Sequence, residues 1–270
     1  MKAPLPPLLL HRGCPSTDAS PPLKQLLLHR RYEAMLDAVR RYLQPATNLG
    51  DGRYLCPDCL PISLMEPSHL KPIIRQVHSF FDDYFKLPVK KDIPIFFIDP
   101  NEMGKHDVNP YDQGLILFDD KATIKIVERC VRRGADIEVV TKKKEVKRNK
   151  VVAILLLFGF PKLILGATLA HEMGHALIKL QGWTFILERK VEEGICEAIA
   201  YEWLKYTVPN CDPSYTPKEA AIAEWLRIKE MSAIKTGRYA AEFGKAHRAI
   251  KKYGLKRTLK HVARWRNIPE

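Results

Sequence analysis

The sequence predicts an α+β protein in which a small mixed sheet precedes a helical C-terminal half. Four short runs rich in aliphatic and aromatic residues, at 93–100, 114–120, 137–141 and 151–158, have the length and composition of strands. After the last run, apolar residues recur at helical spacing in successive segments. A chain of 270 residues with 46% hydrophobic residues can bury such a core without disulfide staples.

The part of the chain before the sheet is predicted to consist of two stretches. Residues 1–22 are rich in proline, which predicts disorder and interrupts the apolar run that a signal peptide would need. Residues 23–64 predict a helix followed by Cys56 and Cys59, a Cys-x-x-Cys pair of the kind that supplies half of a zinc site. Residues 65–270 are assigned to the main domain.

Helical spacing predicts most of the remaining elements. Pro161 suits a first helical turn, where its missing N–H costs nothing, and Gly182 suits a helix end. The apolar stretch 151–170 is as long as a membrane span, but Gly159, Pro161 and Lys162 interrupt it, so we expect a buried strand and then a buried helix. The predicted helices are Leu23–Tyr42, Met65–Phe85, Pro161–Gly182, Lys190–Val208, Pro217–Lys235, Gly237–Tyr253 and Leu255–Arg266.

The net charge of +13 comes largely from two basic runs, Thr141–Lys150 and Lys245–Arg266. Such runs can bind nucleic acid or acidic partners, but a solvated helix face or a loop is the more common role. We therefore do not expect nucleic acid as a partner, and the interrupted apolar stretch 151–170 predicts no membrane contact. Six scattered cysteines without a secretory signal indicate a reducing compartment.

The segment LILGATLAHEMGHALIKLQGW contains the pattern His-Glu-x-x-His, formed by His171, Glu172 and His175. Residues four apart share one face of a helix, so the two imidazoles can bind one Zn²⁺ ion. Glu172 would then accept the proton of the water that attacks a carbonyl carbon. The alternative is a structural pair of core histidines, and the sequence favours the zinc site.

A catalytic zinc needs a third protein ligand, and the stretch VEEGICEA offers Glu192 and Glu193. Glu193 is preferred because the Glu-Gly-x-x-Glu that it opens resembles the third-ligand helix of gluzincin peptidases, a zincin-like fold. Glu192 stays open as the alternative ligand or as a solvated acid at a helix start. Glu197, four residues after Glu193, is a candidate to orient a ligand histidine.

An acyl-transfer site also needs a group that stabilises the oxyanion. Nothing in the sequence selects one of the downstream candidates. These are Tyr201, Tyr239, His247 and His261.

Four blocks together resemble one family. The blocks DGRYLCPDCL, ILLLFGFPKLILGATLAHEMGHA, VEEGIC and KYGLKRTLKHV occur in this order from Gly50 to the C-terminal region. In content and order they resemble the plant DA-one family, growth-limiting peptidases that join a LIM domain to a gluzincin-like peptidase domain.

The resemblance implies a zinc-dependent endopeptidase of the cytoplasm and nucleus that acts on regulatory proteins of growth control and the ubiquitin pathway. It places the family's metal ligands at His171 and His175, its catalytic glutamate at Glu172, and its third ligand among Glu192 and Glu193. It also suggests ubiquitin or ubiquitin ligases as partners.

Two departures from the family stand out. Family sequences have Gln at the position of Glu197, which suits an orienting role better than a ligand. Ahead of Cys56 and Cys59 the chain has only Cys14 and irregularly spaced histidines, so we expect a degenerate LIM remnant with no loaded zinc site.

Two other readings compete with an active peptidase. One is a catalytically silent, truncated relative that acts as a protein-binding module. The other is a DNA-associated metalloprotease of the SprT-like kind, suggested by the basic C-terminal region but disfavoured because the Cys pair precedes the His-Glu-x-x-His helix.

Overall fold

The computed structural model describes the chain from residue 46 onward, with several gaps. The described residues are 46–57, 59–106, 108–110, 112–119, 122–133, 136–147, 150–181, 187–207, 216–217, 219, 221 and 239–270. The predicted disorder of 1–22, the helix Leu23–Tyr42 and most of the helix Pro217–Lys235 lie outside these residues.

The elements are mixed in kind, as the sequence predicts. The strands are β1 (Thr47–Asn48), β2 (Tyr54–Leu55), β3 (Ile95–Ile98), β4 (Gly114–Asp119), β5 (Ala122–Arg133), β6 (Asp136–Lys147) and β7 (Lys150–Leu157). The α-helices are α1 (Leu70–Ser79), α2 (Pro100–Gly104), α3 (Lys162–Leu180), α4 (Arg189–Thr207), α5 (Ala240–Tyr253) and α6 (Leu255–Trp265). Single 3₁₀ turns occupy Leu60–Ile62 and Pro67–His69.

The short β1–β2 hairpin is fastened to the rest of the molecule by Arg53. Its buried guanidinium forms an ion pair with Asp51 at 2.7 Å and donates a hydrogen bond to the carbonyl oxygen of Phe158 at 2.6 Å. The same group lies 4.6 Å from the centre of the Phe158 ring. Because a buried charge is tolerated only when it is paired, this contact fixes the segment carrying Cys56 and Cys59 beside the end of β7.

The helix predicted at Met65–Phe85 begins later than expected. Pro67 opens a 3₁₀ turn, α1 starts at Leu70, and the helix ends as a π-helical turn over Phe80–Tyr84. The wider turn brings Phe80 and Phe81 into the core, where both are fully buried. Aromatic packing of this turn joins it to the helical half of the molecule.

The sheet that supports the candidate site has three strands in the order β3–β7–β4. Strand β7 pairs with β3 in parallel and with β4 antiparallel, so the sheet is mixed, as predicted. From Ala153 to Leu157 the central strand is completely buried, which explains its run of aliphatic residues there.

Between β4 and β7 the chain makes a long antiparallel hairpin, β5–β6. It keeps the register of the β4–β7 ladder: Asp119 pairs with Lys150, and three residues further along each strand Ala122 pairs with Lys147. The predicted strand 137–141 lies inside β6, whereas the sequence predicts no strand at β5. The basic run Thr141–Lys150, expected on a helix face or in a loop, instead continues β6 and reaches β7.

The stretch 151–170 forms the predicted strand and helix. Strand β7 ends at Leu157, Pro161 caps α3, and α3 begins at Lys162. No helix in the described ranges combines the length and apolarity that crossing a bilayer requires.

Helices α3 and α4 pack closely because glycines lie at their contact. A Cβ atom at Gly166 would overlap the ring of fully buried Trp203. One at Gly174 would lie 3.1 Å from the Sγ atom of Cys196. Because glycine has no side chain beyond hydrogen, these two positions allow the helices to approach closely. The polar groups on the two helices are brought close together as a result.

Candidate metal centre

The candidate site lies between α3 and α4. Helix α3 carries His171, Glu172 and His175; α4 carries Glu192 in its first turn and Glu193 directly after it. Gly174 of α3 packs against Cys196 of α4, and this close contact lets the histidines of α3 face the glutamates of α4.

Three side chains converge on one point. His171 Nε2 lies 3.1 Å from His175 Nε2. Glu193 Oε2 lies 3.4 Å from His171 Nε2 and 3.6 Å from His175 Nε2. In the described part of the chain, this is the only group of three or more His, Cys, Asp or Glu side chains arranged to hold a metal ion.

This donor set fits zinc in chemistry and in spacing. Zinc favours imidazole nitrogen and carboxylate oxygen at about 2.0–2.2 Å in a tetrahedral arrangement, which separates neighbouring ligand atoms by roughly 3.3 Å. The three observed separations lie close to that value. Three protein ligands also match a catalytic site, in which a fourth position stays open.

Glu192 has a different place from Glu193. Its Oε1 atom lies 2.8 Å from His175 Nδ1, and its Oε2 atom accepts a hydrogen bond from Lys179 at 3.1 Å. Glu192 is buried, so its interpretation as a solvated acid at a helix start is wrong. Burial opposes ionisation, but His175 and Lys179 outweigh it and lower the pKa of Glu192. A carboxylate at Nδ1 directs Nε2 of the same ring toward Glu193.

Glu197, expected to orient a histidine, is more distant. Its Oε1 atom lies 3.9 Å from His171 Nδ1, beyond hydrogen-bonding distance, and 43% of its side chain is exposed. The short carboxylate contact to an imidazole Nδ1 in this site is therefore made by Glu192.

Glu172 is buried against the start of strand β4. A Cβ atom at Gly114 would lie 2.5 Å from Thr168 Cγ2 and 3.2 Å from Glu172 Oε1, so only glycine fits here. Burial raises the pKa of Glu172, while the two histidines and the backbone of Ile116, which hydrogen-bonds to the carboxylate, lower it. The net shift is upward, which suits a group that must accept a proton near neutrality.

The charges of the three converging groups are coupled. Burial disfavours the charged imidazoles, but Glu193 outweighs it at His171, and Cys196, Glu192 and Glu193 do so at His175; both pKa values are raised. Burial likewise disfavours ionised Glu193, and both histidines reverse the effect and lower its pKa. The ionised carboxylate of Glu193 thus draws positive charge to this point, where a metal cation can replace the protons held by the imidazoles.

The residues considered as oxyanion-stabilising groups make contacts elsewhere in the helical half. The His247 ring packs edge-to-face against the Tyr201 ring, with the ring centres 4.9 Å apart, and His247 Nε2 lies 3.1 Å from Glu202 Oε1. Tyr201 is eight residues from Glu193, roughly 12 Å along the helix axis. His261 Nε2 lies 3.1 Å from Oδ1 of Asn267, which follows the end of α6, and Tyr239 is the residue directly before α5.

Cys56 and Cys59 gather no third metal-ligating side chain from the described residues. The backbone N–H groups of Cys59 and Leu60 both donate to the carbonyl oxygen of Cys56, which closes a tight turn between the two thiols. The described structure thus contains half of a possible site.

Comparison with known proteins identifies one family. The family model described as "DA1-like: Protein DA1" matches residues 85–222. Protein DA1 of Arabidopsis thaliana is 28% identical over 286 residues, which cover 95% of this chain and 51% of that protein. Protein DA1-related 1 of the same plant is 28% identical over 79% of this chain and 44% of its own length.

A rice relative gives the same result. LIM domain-containing protein HDR3 of Oryza sativa subsp. japonica is 27% identical over 80% of this chain and 49% of its own length. The chain thus spans about half the length of the curated relatives it matches. No solved structure matches it.

Proposed function

Because the chain belongs to the DA1-like family, we propose that it is a zinc-dependent endopeptidase that cleaves regulatory proteins. The observation that carries the proposal is the convergence of His171, His175 and Glu193, with Glu172 adjacent in sequence to the first of them. The resemblance of the sequence to a peptidase family and the geometry of the side chains point to the same chemistry.

The described side chains have distinct roles in this proposal. His171, His175 and Glu193 would hold the ion, and Glu192 orients the His175 ring through its 2.8 Å contact with Nδ1. Zinc bound there supplies a Lewis acid and lowers the pKa of a coordinated water toward neutrality. Glu172 takes the proton of the attacking water and returns it to the leaving amine, which its raised pKa favours.

Strand β4 offers a place for the substrate backbone. It is an edge of the three-stranded sheet, because only β7 pairs with it among the described strands. The hydrogen bond from Ile116 to Glu172 and the contact at Gly114 bring this edge beside the proposed base. An extended peptide that pairs with β4 would place its backbone carbonyls next to Glu172.

The resemblance also bears on where such a peptidase acts. It supports substrates in growth control or the ubiquitin pathway, with ubiquitin or its ligases as partners, in the cytoplasm or the nucleus.

The decisive experiment combines metal analysis with two matched variants. We expect about one zinc per chain by elemental mass spectrometry in protein purified without added metal. Glu172→Gln should keep the zinc and abolish cleavage of a protein substrate, because it loses only the proton acceptor. His175→Ala should lose both.

Two results would contradict the proposal. Zinc retained at full stoichiometry by folded His175→Ala protein would exclude the ligand set. Folded wild-type protein that takes up no zinc would favour a silent protein-binding module.

A further inference from the structure

The α5–α6 pair carries a stripe of cations on each helix. Both helices bury one face, as shown by Phe243 and Ala249 in α5 and by Leu259 and Val262 in α6. Cations occupy the opposite faces, three or four residues apart, which aligns them along each helix. We call the following six exposed residues the basic surface: Lys245, Arg248, Lys252, Lys256, Lys260 and Arg264.

The basic surface is not neutralised by neighbouring acids. Residues 239–270 contain only Glu242 and Glu270 as acids. Lys252 donates to the backbone oxygen of Glu270 at 3.5 Å, and the other five cations form no ion pair with a carboxylate in the described structure. Lysines next to the core behave differently: Lys179 and Lys205 each bind a buried glutamate.

An exposed aromatic side chain adjoins these cations. Trp265 is 59% exposed, and the Arg264 guanidinium lies 5.1 Å from the centre of its ring. A cation–π contact of this kind positions the arginine while leaving its N–H groups available. Tryptophan and arginine are the residue types most enriched at energetically important positions of protein interfaces.

The helix that begins the basic surface is attached to the candidate metal centre. A Cβ atom at Gly194 would lie 2.7 Å from the backbone of Glu242, so α5 touches α4 directly there. Gly194 follows Glu193 in sequence. A partner bound along α5 is therefore held by a helix that packs directly against the proposed ligand helix.

We propose that the basic surface binds an acidic segment of a protein partner. If the chain is the peptidase proposed above, a partner held in this way would be presented as a substrate. The binding itself does not depend on the peptidase function. Binders of single-stranded nucleic acid stack successive bases on several aromatic rings. Within residues 239–270 only Trp265 is an exposed aromatic residue, which favours an acidic polypeptide.

The test measures binding of a fluorescein-labelled polyglutamate peptide by fluorescence anisotropy at low salt, in the Glu172→Gln background. The variant K256E/K260E should bind about tenfold more weakly or worse, because two attractions become repulsions. The matched control is K71E/R75E, which reverses two exposed cations four residues apart on α1. It should bind within about twofold of the parent, and added salt should weaken binding in both proteins.

Three outcomes would overturn the proposal. Equal losses in the two variants would show that only net charge matters. No binding by the parent protein would exclude the surface. Tighter binding of a single-stranded oligonucleotide of matched charge, lost in K256E/K260E, would assign the surface to nucleic acid. Because the probe is read without cleavage, each result is independent of whether the chain proves to be a peptidase.

Discussion

The helix pairs α3–α4 and α5–α6 are built on opposite principles. In α3 and α4 about two thirds of the residues are buried, glycines set the distance between the helices, and each buried glutamate has a partner. In α5 and α6 only one face is buried, and the charges of the other face have few partners. A polar group in the first pair is therefore fixed by its surroundings, whereas one in the second is available to another molecule.

The largest change in the free energy of unfolding should come from adding a methyl group between α3 and α4. Gly166→Ala forces a Cβ atom into the Trp203 ring and should lower the free energy of unfolding by about 3 kcal/mol, as overpacking does. Gly174→Ala meets the ends of the Cys196 and Ile199 side chains, and should change it by less than about 1 kcal/mol. Urea unfolding of the two variants measures both; equal losses would contradict the packing argument.

The junction between the two pairs should respond to acid. Glu202 accepts hydrogen bonds from Tyr84 and Lys205 and contacts His247 on α5. Burial opposes its ionisation, but His247, Tyr84 and Lys205 prevail and lower the pKa of Glu202 from 4.5 to about 2.

The ionised form is therefore favoured in the folded protein, and its stabilisation is present above pH 4.5. It should be lost as the pH falls toward about 2, with a total of about 3 kcal/mol. Glu202→Gln should remove this stabilisation at neutral pH, and the difference from wild type should shrink below pH 4.5. Unfolding by urea across this pH range tests it; a constant difference down to pH 2 would count against the assignment.

Within the metal centre, Glu192 and Glu197 provide a matched comparison. Glu192→Gln weakens a buried 2.8 Å contact to His175 and should lower zinc affinity by about 10- to 100-fold. Glu197→Gln alters an exposed group 3.9 Å from His171 and should leave the affinity within about threefold. Competition with a chromophoric chelator measures both, and the reverse ranking would restore the orienting role to Glu197.

The smallest effect is expected on the basic surface. Because Lys256 and Lys260 are exposed and form no ion pair in the described structure, K256E/K260E should leave the free energy of unfolding within about 0.5 kcal/mol of wild type. Thermal and urea unfolding check this. A larger loss would mean that these lysines stabilise the fold, and any change in peptide binding would need another explanation.

Sequence reasoning located the parts of the site that depend on local periodicity. The four-residue spacing of His171 and His175 places both on one face of α3 without any tertiary information. The choice between Glu192 and Glu193 could not be made in this way. Adjacent helical residues differ by about 100° in direction, so which of them approaches the Nε2 atoms of both histidines depends on how α4 is rotated against α3.

The same limit applies to contacts that join distant segments. The approach of Gly114 to Glu172 depends on the register of β4, and the contact of Tyr84 with Glu202 depends on the π-helical turn after α1. The hairpin strand β5 was missed because its arginines and lysines obscured the alternation of apolar residues. A strand followed by a helix at 151–170 was predictable because the apolar run and its breakers are local.

The cysteine at the α3–α4 contact can report how often the two helices separate. Cys196 is fully buried, and burial raises its thiol pKa to about 11, so alkylating reagents cannot reach or activate it while the helices stay together. Its rate of modification in native protein would therefore count the moments at which α4 separates from α3. If a metal ion joins the two helices, loading the protein with zinc should lower the rate at which Cys196 is modified, and removing the ion should raise it.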